Sequence, residues 1–134
     1  MLLGFEHVNM VVSDLDRTLH FYVDLVGFKL KVRKHTGNGG ELAFVETRGA
    51  QIEIFCPKDK PKTPARLVPR TEAGIGHIAL TVDDVEETYR SLSAAGVEFT
   101  EKPRLAINKE ILYQVAFCKD PDGMLVEFGS PSRE

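Results

Sequence analysis

Apolar residues occupy alternate positions in two segments of the chain, Phe5–Val12 and Gly76–Val82. This alternation predicts two strands with one buried face, because successive side chains of a strand point to opposite faces. After each strand, apolar side chains recur three or four residues apart, which predicts an amphipathic helix. The apolar faces of these helices are Leu15, Leu19, Tyr22 and Leu25, and then Val85, Tyr89, Leu92 and Ala95.

Polar residues and glycines mark the ends of both predicted helices. Asp14 or the serine before it can cap the first helix, and Asp83 with Glu86 three residues later predicts a capping box for the second. Gly27 and Gly96 suit the left-handed position that follows a helix. Each helix is therefore expected to be short and bounded on both sides.

Three further strands are predicted after each helix, which gives the order β-α-β-β-β twice. The turn before the last strand contains Arg48-Gly49 in the first half and Pro121-Asp122-Gly123 in the second, and both are typical turn sequences. The predicted strands are residues 29–33, 41–47 and 51–55, and then residues 98–101, 113–119 and 125–128.

The two halves of the chain are copies of one module. HVNMVVSDLDRTLHFY, which begins at His7, aligns with HIALTVDDVEETYRSL, which begins at His77. AFVETRGAQIEIFCP in the first half aligns with AFCKDPDGMLVEFGSP in the second, and the gaps fall in loops. An ordered series of matches through both halves indicates an internal repeat. We expect one domain over residues 1–134, with modules at about 4–56 and 75–131 and a proline-containing linker at about 57–74.

Strand parity places four ionisable side chains on the faces that do not receive a helix. They are His7, Glu53, His77 and Glu127. A carboxylate within an apolar strand such as Ile52–Phe55 is costly unless it is paired or bound to a metal. The alternative is that each glutamate pairs with a lysine or arginine at a sheet edge and each histidine is an ordinary polar residue. Because the repeat relates all four, we favour a single cleft with two imidazoles and two carboxylates.

Imidazole and carboxylate ligands suit zinc, nickel, cobalt, manganese or iron, and the donor set does not choose among them. The formal net charge is −3, which disfavours a nucleic-acid partner. No apolar run approaches the roughly 20 residues of a membrane helix, and no signal-peptide pattern is present. Cys56 and Cys118 form no CxxC pair. We therefore expect a cytoplasmic protein with reduced thiols that acts on a small molecule.

The sequence resembles the vicinal oxygen chelate superfamily, also called the glyoxalase/bleomycin-resistance/dioxygenase group. The resemblance rests on the SDLDRTLHFYVDLVGFKL that follows the first strand, on GIGHIALTVDDVEE around His77, and on the closing DPDGMLVEF. It implies an α+β fold of two tandem βαβββ modules whose curled mixed sheets surround a metal cleft. It also carries the ligands of the glyoxalase I-like branch onto His7, Glu53, His77 and Glu127.

That branch implies a divalent-metal-dependent lyase or isomerase of the glyoxalase I (lactoylglutathione lyase) type. Its reaction is proton transfer next to a carbonyl through an enediolate that one divalent metal ion stabilises. The resemblance gives the proton transfer to Glu127, with Glu53 acting on the opposite face. Family members form the site within one chain or across a dimer, and we expect a homodimer.

Three other functions stay open at this point. A racemase of the methylmalonyl-CoA epimerase type usually has a double histidine in the second module and a different final turn, and Gly76-His77 and Asp120–Gly123 depart from both. A non-catalytic binding or resistance protein has no need of the ligands. A mononuclear-iron dioxygenase uses two histidines and one glutamate, without the position of Glu53. The complete set of four favours the lyase or isomerase.

One position departs from the glyoxalase I pattern. In those relatives an arginine four residues after the first-strand histidine helps to hold a glutathione carboxylate, and here that position is Val11. The sequence therefore predicts that glutathione is a poor co-substrate, unless another cation reaches the same carboxylate. The candidates for that role are Lys31, Arg33, Arg66 and Arg104.

Overall fold

The computed structural model describes residues 1–62 and 67–134 of the chain. The chain divides into two compact units, residues 1–64 and residues 65–134. Each unit has one strand, a helical segment and then three strands, so the predicted α+β fold of tandem βαβββ modules is confirmed. That both modules form one domain stays a prediction.

The first unit is a four-stranded mixed sheet with a helical segment on one face. The strand order is β1-β4-β3-β2, in which β1 runs parallel to β4 and the other pairs are antiparallel. Its elements are β1 (Val8–Val11), α1 (Leu15–Leu19), a π-helix (His20–Val26), β2 (Lys29–His35), β3 (Glu41–Thr47) and β4 (Ala50–Cys56).

The second unit repeats this topology. The strand order is β5-β8-β7-β6, again with one parallel pair, β5 with β8, next to two antiparallel pairs. Its elements are β5 (Ile78–Thr81), α2 (Val85–Ala94), β6 (Phe99–Leu105), β7 (Leu112–Lys119) and β8 (Leu125–Pro131). None of the described helices is long and apolar enough to cross a membrane.

The hydrophobic core of each unit lies between its sheet and its helix. Ile52 and Ile54 of β4 are buried, whereas Glu53 between them is half-buried. Val126 and Phe128 of β8 are buried in the same way on either side of Glu127. The alternation predicted from strand parity is therefore confirmed in both central strands.

The caps of the two helices differ from the prediction at one residue. Asp14 caps α1, where its carboxylate accepts the backbone N–H of Arg17 at 3.0 Å. In the second unit the cap is Asp84, which accepts the N–H of Glu87 at 2.9 Å. The predicted capping box of Asp83 and Glu86 is wrong, because α2 begins one residue later than that box requires.

The first predicted helix is an α-helix in its first part and a π-helix in its second part. Residues His20–Val26 form a π-helix, which ends where the N–H of Gly27 donates to the carbonyl of Tyr22 at 3.1 Å. Phe21 and Tyr22 are both buried there, whereas Leu25, which was predicted on the buried face, is half-buried. Gly27 has a φ of 108°, as predicted for the residue after the helix.

Candidate metal centre

In the first unit, His7 and Glu53 face each other across a parallel strand pair. Val8, the first residue of β1, pairs with Ile52 of β4. His7 therefore directly precedes β1, the strand that adjoins β4. The distance from His7 Nε2 to Glu53 Oε1 is 4.0 Å. Both side chains are about one third exposed, so an ion or a substrate can reach them from solvent.

The second unit holds the equivalent pair, His77 and Glu127. Here the distance from His77 Nε2 to Glu127 Oε2 is 2.9 Å, which is a hydrogen bond. A carboxylate can only accept, so Nε2 carries the hydrogen and donates it. The Glu127 side chain is the more enclosed of the two carboxylates, with 13% of its area exposed against 27% for Glu53.

A phenylalanine supports the imidazole in each unit. His7 meets Phe44 edge to face, with ring centroids 5.4 Å apart, and His77 meets Phe117 in the same way at 5.3 Å. These phenylalanines pair across the strands with the two glutamates of the site. The sequence repeat aligns Phe44 with Phe117, and this match is the sequence signal that both phenylalanines belong to the site.

The two units differ at the residue that faces each glutamate from the parallel strand. Asn9 pairs with Glu53, and its Nδ2 donates a hydrogen bond to Glu53 Oε1 at 2.7 Å. Ala79 pairs with Glu127 in the second unit and has no polar side-chain atom. Among the described residues, an amide therefore holds the carboxylate of Glu53, and none holds that of Glu127.

A carboxylate also lies beside the first histidine. Glu6 Oε1 is 3.7 Å from His7 Nδ1, and the amide of Gln51 donates to the same oxygen at 2.9 Å. Gly76 occupies the corresponding position before His77. The first unit therefore surrounds its histidine and its glutamate with more polar partners than the second.

The structure thus brings the four predicted residues together as two pairs. Over residues 1–62 and 67–134, no group of three or more histidine, cysteine, aspartate or glutamate side chains lies close enough to hold a metal ion. A four-residue centre made from both pairs stays a prediction. The alternative of edge salt bridges loses support, because the described part of the chain has no lysine or arginine in an ion pair with either glutamate.

The donor atoms of each pair fit one divalent ion. Nitrogen and oxygen ligands lie about 2.0–2.2 Å from zinc, so two of them are about 3 Å apart at a right angle and about 4.2 Å apart when they oppose each other. The observed separations, 4.0 Å for His7 and Glu53 and 2.9 Å for His77 and Glu127, lie close to or within this range. Each pair can therefore supply two ligands to one ion with small side-chain movements.

A cleft of about 380 Å³ in the second unit opens onto His77 and Glu127. The remainder of its lining is largely aliphatic and includes two arginines, Arg70 and Arg104. The Arg104 guanidinium donates to Glu101 at 2.8 Å and lies 5.9 Å from the centroid of the Phe117 ring. A few polar groups in an otherwise apolar cleft are typical of small-molecule sites.

Neither cysteine contributes to this site. Cys56 and Cys118 are both buried, free thiols. Burial, together with the nearby charge of Asp120, raises the pKa of Cys118 to about 12. A thiol that stays protonated at neutral pH is a poor nucleophile and a poor metal ligand.

The sequence matches one known protein family over most of its length. Residues 4–128 match the family described as the Glyoxalase/Bleomycin resistance protein/Dioxygenase superfamily. The chain belongs to this superfamily. The resemblance read from the sequence is thereby confirmed at the level of the family.

Two proteins that are similar to this chain are a probable lyase and a glyoxalase family protein of known structure. A protein of Vibrio cholerae named "Probable lactoylglutathione lyase" is 34% identical over 129 residues, which cover 90% of this chain and 86% of that protein. A crystal structure of a glyoxalase family protein from Enterococcus faecalis is 26% identical, with a TM-score of 0.74, and covers 94% of this chain and 96% of that one.

A fosfomycin resistance protein has the same fold. This protein, FosX from Listeria monocytogenes, was crystallised with manganese(II) and a sulfate ion. It is 20% identical to the chain, with a TM-score of 0.72, and covers 99% of this chain and 96% of that one. The superfamily fold therefore serves more than one activity.

Proposed function

We propose that the protein is a metal-dependent lyase or isomerase of the glyoxalase I type, which moves a proton next to a carbonyl group. The observation that carries this proposal is the repeat of one His–Glu pair in both units, at separations that a single divalent ion can bridge. The Vibrio cholerae relative named as a probable lactoylglutathione lyase supports the same reaction class.

His7, Glu53, His77 and Glu127 would hold the ion, from one chain or from two. When bound, a divalent metal supplies a Lewis acid that stabilises negative charge on the substrate oxygens. FosX was crystallised with manganese, which supports a divalent ion on this fold without identifying it for this chain.

The proton transfer belongs to Glu127. Its carboxylate lines the cleft, is largely enclosed, and has a histidine but no amide as its partner in the described part of the chain. It accepts the proton from the carbon next to the carbonyl onto a carboxylate oxygen and returns it to the neighbouring carbon. Glu127 is unchanged after turnover, as a general acid–base catalyst must be. By the family resemblance, we assign Glu53 to the opposite face of the substrate.

The cleft indicates a small substrate. A volume of about 380 Å³ lies within the range of small-molecule sites, at its lower end. Ile107, Ile111 and Leu112 offer an apolar surface to the part of the substrate that does not react. A hemithioacetal of a small 2-oxoaldehyde is the substrate class that fits both the cleft and the proposed chemistry.

Metal content is the first test of the proposal. Purified protein loaded with a divalent metal should hold about one ion per chain, and His7→Ala or His77→Ala should lower its affinity for the ion about 10-fold or more. His20→Ala is the matched control, because His20 also pairs with a carboxylate, Asp24, at 2.9 Å, but lies on the helical segment. Full occupancy in the double variant His7→Ala/His77→Ala would contradict the metal centre.

Proton exchange is the second test. Metal-loaded protein in deuterated water should exchange the proton next to the carbonyl of a methylglyoxal hemithioacetal, and Glu127→Gln should abolish the exchange. Formation of a thioester identifies the lyase, whereas inversion of a chiral acyl thioester without a new product identifies a racemase. Metal binding without any exchange would replace the proposal with a binding or resistance function.

A further inference from the structure

The two carboxylates of the site are equivalent by sequence repeat but not by environment. Glu53 Oε1 accepts a 2.7 Å hydrogen bond from the amide of Asn9 and is 4.0 Å from His7 Nε2. Glu127 has Ala79 at the position of that amide, and its Oε2 lies within hydrogen-bond distance of His77. The histidine and the glutamate are therefore 4.0 Å apart in the unit that has the amide, and 2.9 Å apart in the unit that lacks it.

This difference has a direct physical consequence. A glutamate side chain has three rotatable bonds, and an isolated carboxylate near an imidazole closes the gap by hydrogen bonding. The amide of Asn9 occupies the oxygen that would otherwise turn towards His7, so the space between Nε2 and Oε1 stays wide enough for an ion. Hydrogen bonds of this kind to a ligating carboxylate orient it and strengthen metal binding.

We propose that Asn9 is a positioning residue that holds Glu53 as a fixed ligand, whereas Glu127, which has Ala79 in place of that amide, contacts the imidazole of His77 instead and carries the proton. This inference rests on the proposed function, and it assigns different roles to two residues that the repeat makes equivalent. A carboxylate that must both bind and move a proton needs a displaceable contact, and within residues 1–62 and 67–134 Glu127 is the one of the two glutamates without an amide partner.

A purely structural role for Asn9 predicts something different. Asn9 is exposed and its side chain lies on the sheet face away from the helix, so its removal leaves no cavity in the core. Loss of a structural contact would lower the stability of the folded chain without a specific effect on the ion. The experiment therefore measures metal affinity and thermal stability on the same samples.

The experiment titrates cobalt(II) into the metal-free full-length protein and follows the visible absorption of the bound ion. Asn9→Leu keeps the approximate size of the side chain and removes the donor, and Asn9→Gln keeps a donor amide on a longer stem. Ala79→Asn introduces the amide beside Glu127. Gln114→Ala is the control, because it removes another exposed amide-to-carboxylate bond, the 2.9 Å bond from Gln114 to Glu86.

We expect Asn9→Leu to bind cobalt(II) about 10–100-fold more weakly than the wild type, the usual loss when an outer partner of a ligand is removed. Asn9→Gln should recover part of this loss, and Gln114→Ala should lose none. Melting temperatures of metal-free Asn9→Leu and Gln114→Ala should be alike. Ala79→Asn should retain cobalt(II) affinity and KM but lower kcat, because the added amide restrains Glu127.

Each contrary result has a defined meaning. Suppose that the wild type turns over substrate, and that Asn9→Leu binds cobalt(II) as tightly as the wild type. The proposed role of Asn9 is then overturned, and the proposed function stands. Equal losses in the leucine and glutamine variants would also overturn it, because shape and not the donor would then matter. If the wild type itself binds no cobalt(II), the proposed function fails and the inference falls with it.

Discussion

The Cys118 thiol shows how strongly burial acts on a single titratable group in this chain. Cys118 lies on β7 with no exposed area, opposite Val126 of β8. Burial raises its pKa from an ordinary value of 9.0 to about 12, because the thiolate would lose its hydration. The folded chain therefore keeps this proton over a pH interval in which the unfolded chain has already lost it.

The shift predicts a fall in stability at alkaline pH. Below pH 9 both states hold the proton and the contribution is constant; between about pH 9 and 12 only the unfolded state releases it, so the free energy of unfolding falls as pH rises. Urea unfolding at several pH values should show a shallower fall for Cys118→Ala than for the wild type. Lysines and tyrosines also titrate there, but they are common to both proteins.

Val126→Ala is the control for the loss of packing at the same place. It removes buried methyl groups from the cross-strand neighbour and leaves the thiol in place. Its free energy of unfolding should be lower than that of the wild type by a similar amount at every pH. Parallel pH curves for Cys118→Ala and the wild type would show that the thiol does not carry the effect.

Val11 bears on which thiol the proposed hemithioacetal substrate contains. It is half exposed near the end of β1 and shares a strand face with Asn9. Three of the four alternative cations are already engaged: Lys31 with Glu46, Arg33 with Asp16, and Arg104 with Glu101. The fourth, Arg66, lies outside the described residues. These contacts support the prediction that glutathione is held poorly.

A substitution at Val11 tests this prediction. One charge-assisted hydrogen bond contributes on the order of 1.5–3 kcal/mol, which corresponds to roughly 10–150-fold in affinity. Val11→Arg should lower KM for the methylglyoxal–glutathione adduct by a factor in that range and leave KM for an uncharged thiol adduct unchanged. Efficient wild-type turnover with glutathione that Val11→Arg does not improve would contradict the assignment.

At the scale of the elements, the start of α2 gives two adjacent aspartates different roles. Asp84 accepts the N–H of Glu87, whereas Asp83 lies one residue before the cap. Replacement of a capping aspartate by alanine typically costs about 0.5–2 kcal/mol. Asp84→Ala should therefore lower the free energy of unfolding by about 1 kcal/mol in urea denaturation, and Asp83→Ala by much less. A larger loss for Asp83→Ala would restore the capping box that the sequence suggested.

The order of elements could be predicted from the sequence because periodicity and repeat agree, but strand lengths depend on partners that the sequence does not show. β1 was predicted from Phe5 but begins at Val8. In the register of β1 with β4, Phe5 falls opposite Gly49, which lies in a turn and cannot continue the ladder. Phe5 therefore has no strand residue opposite it, although β4 itself begins at Ala50, opposite Glu6.

The edge strand β6 was predicted too short for a related reason. It extends through Pro103 to Leu105, although proline usually excludes a strand. β6 has a neighbour on one side only, and Pro103 falls in the irregular register between Glu101 and Arg104. Edge strands and bulges are where a strand tolerates proline. Sequence alone does not show which strands will be edges.

The residues of the candidate site could be predicted from the sequence, but the hydrogen bonds among them could not. Parity along single strands places His7 and Glu53 on one face, and the repeat adds the second pair. The hydrogen bond from Asn9 to Glu53 depends on the parallel register of two strands that are far apart in sequence. That register is a tertiary property, so the difference between the two glutamates emerges only from the structure.

At the scale of the whole molecule, each unit supplies one half of the proposed ligand set. His7 and Glu53 belong to the first unit, and His77 and Glu127 to the second. Two such halves can meet within one chain or across a symmetric dimer. The linker predicted from the sequence, at about 57–74, is expected to permit either connection. We propose a homodimer, with a mass in solution near twice the chain mass of 14.9 kDa.

Mixing two inactive variants distinguishes these arrangements. His7→Ala damages only the first half of the set and His77→Ala only the second. If each site is made from the first unit of one chain and the second unit of its partner, a mixed dimer contains one intact site and one doubly damaged site. Random re-association of equal amounts should then restore about a quarter of wild-type metal occupancy, since half of the symmetric dimers are mixed.

If each site lies within one chain, no mixture restores it, because every chain carries one damaged half. The measurement is metal content after the two variants are unfolded together and refolded, compared with each variant refolded alone. A mixture of His7→Ala with Glu53→Gln is the control, since both changes damage the same half and no arrangement of chains recovers a site. Recovery in the first mixture alone would establish a shared centre, and recovery in neither would place the centre within a single chain.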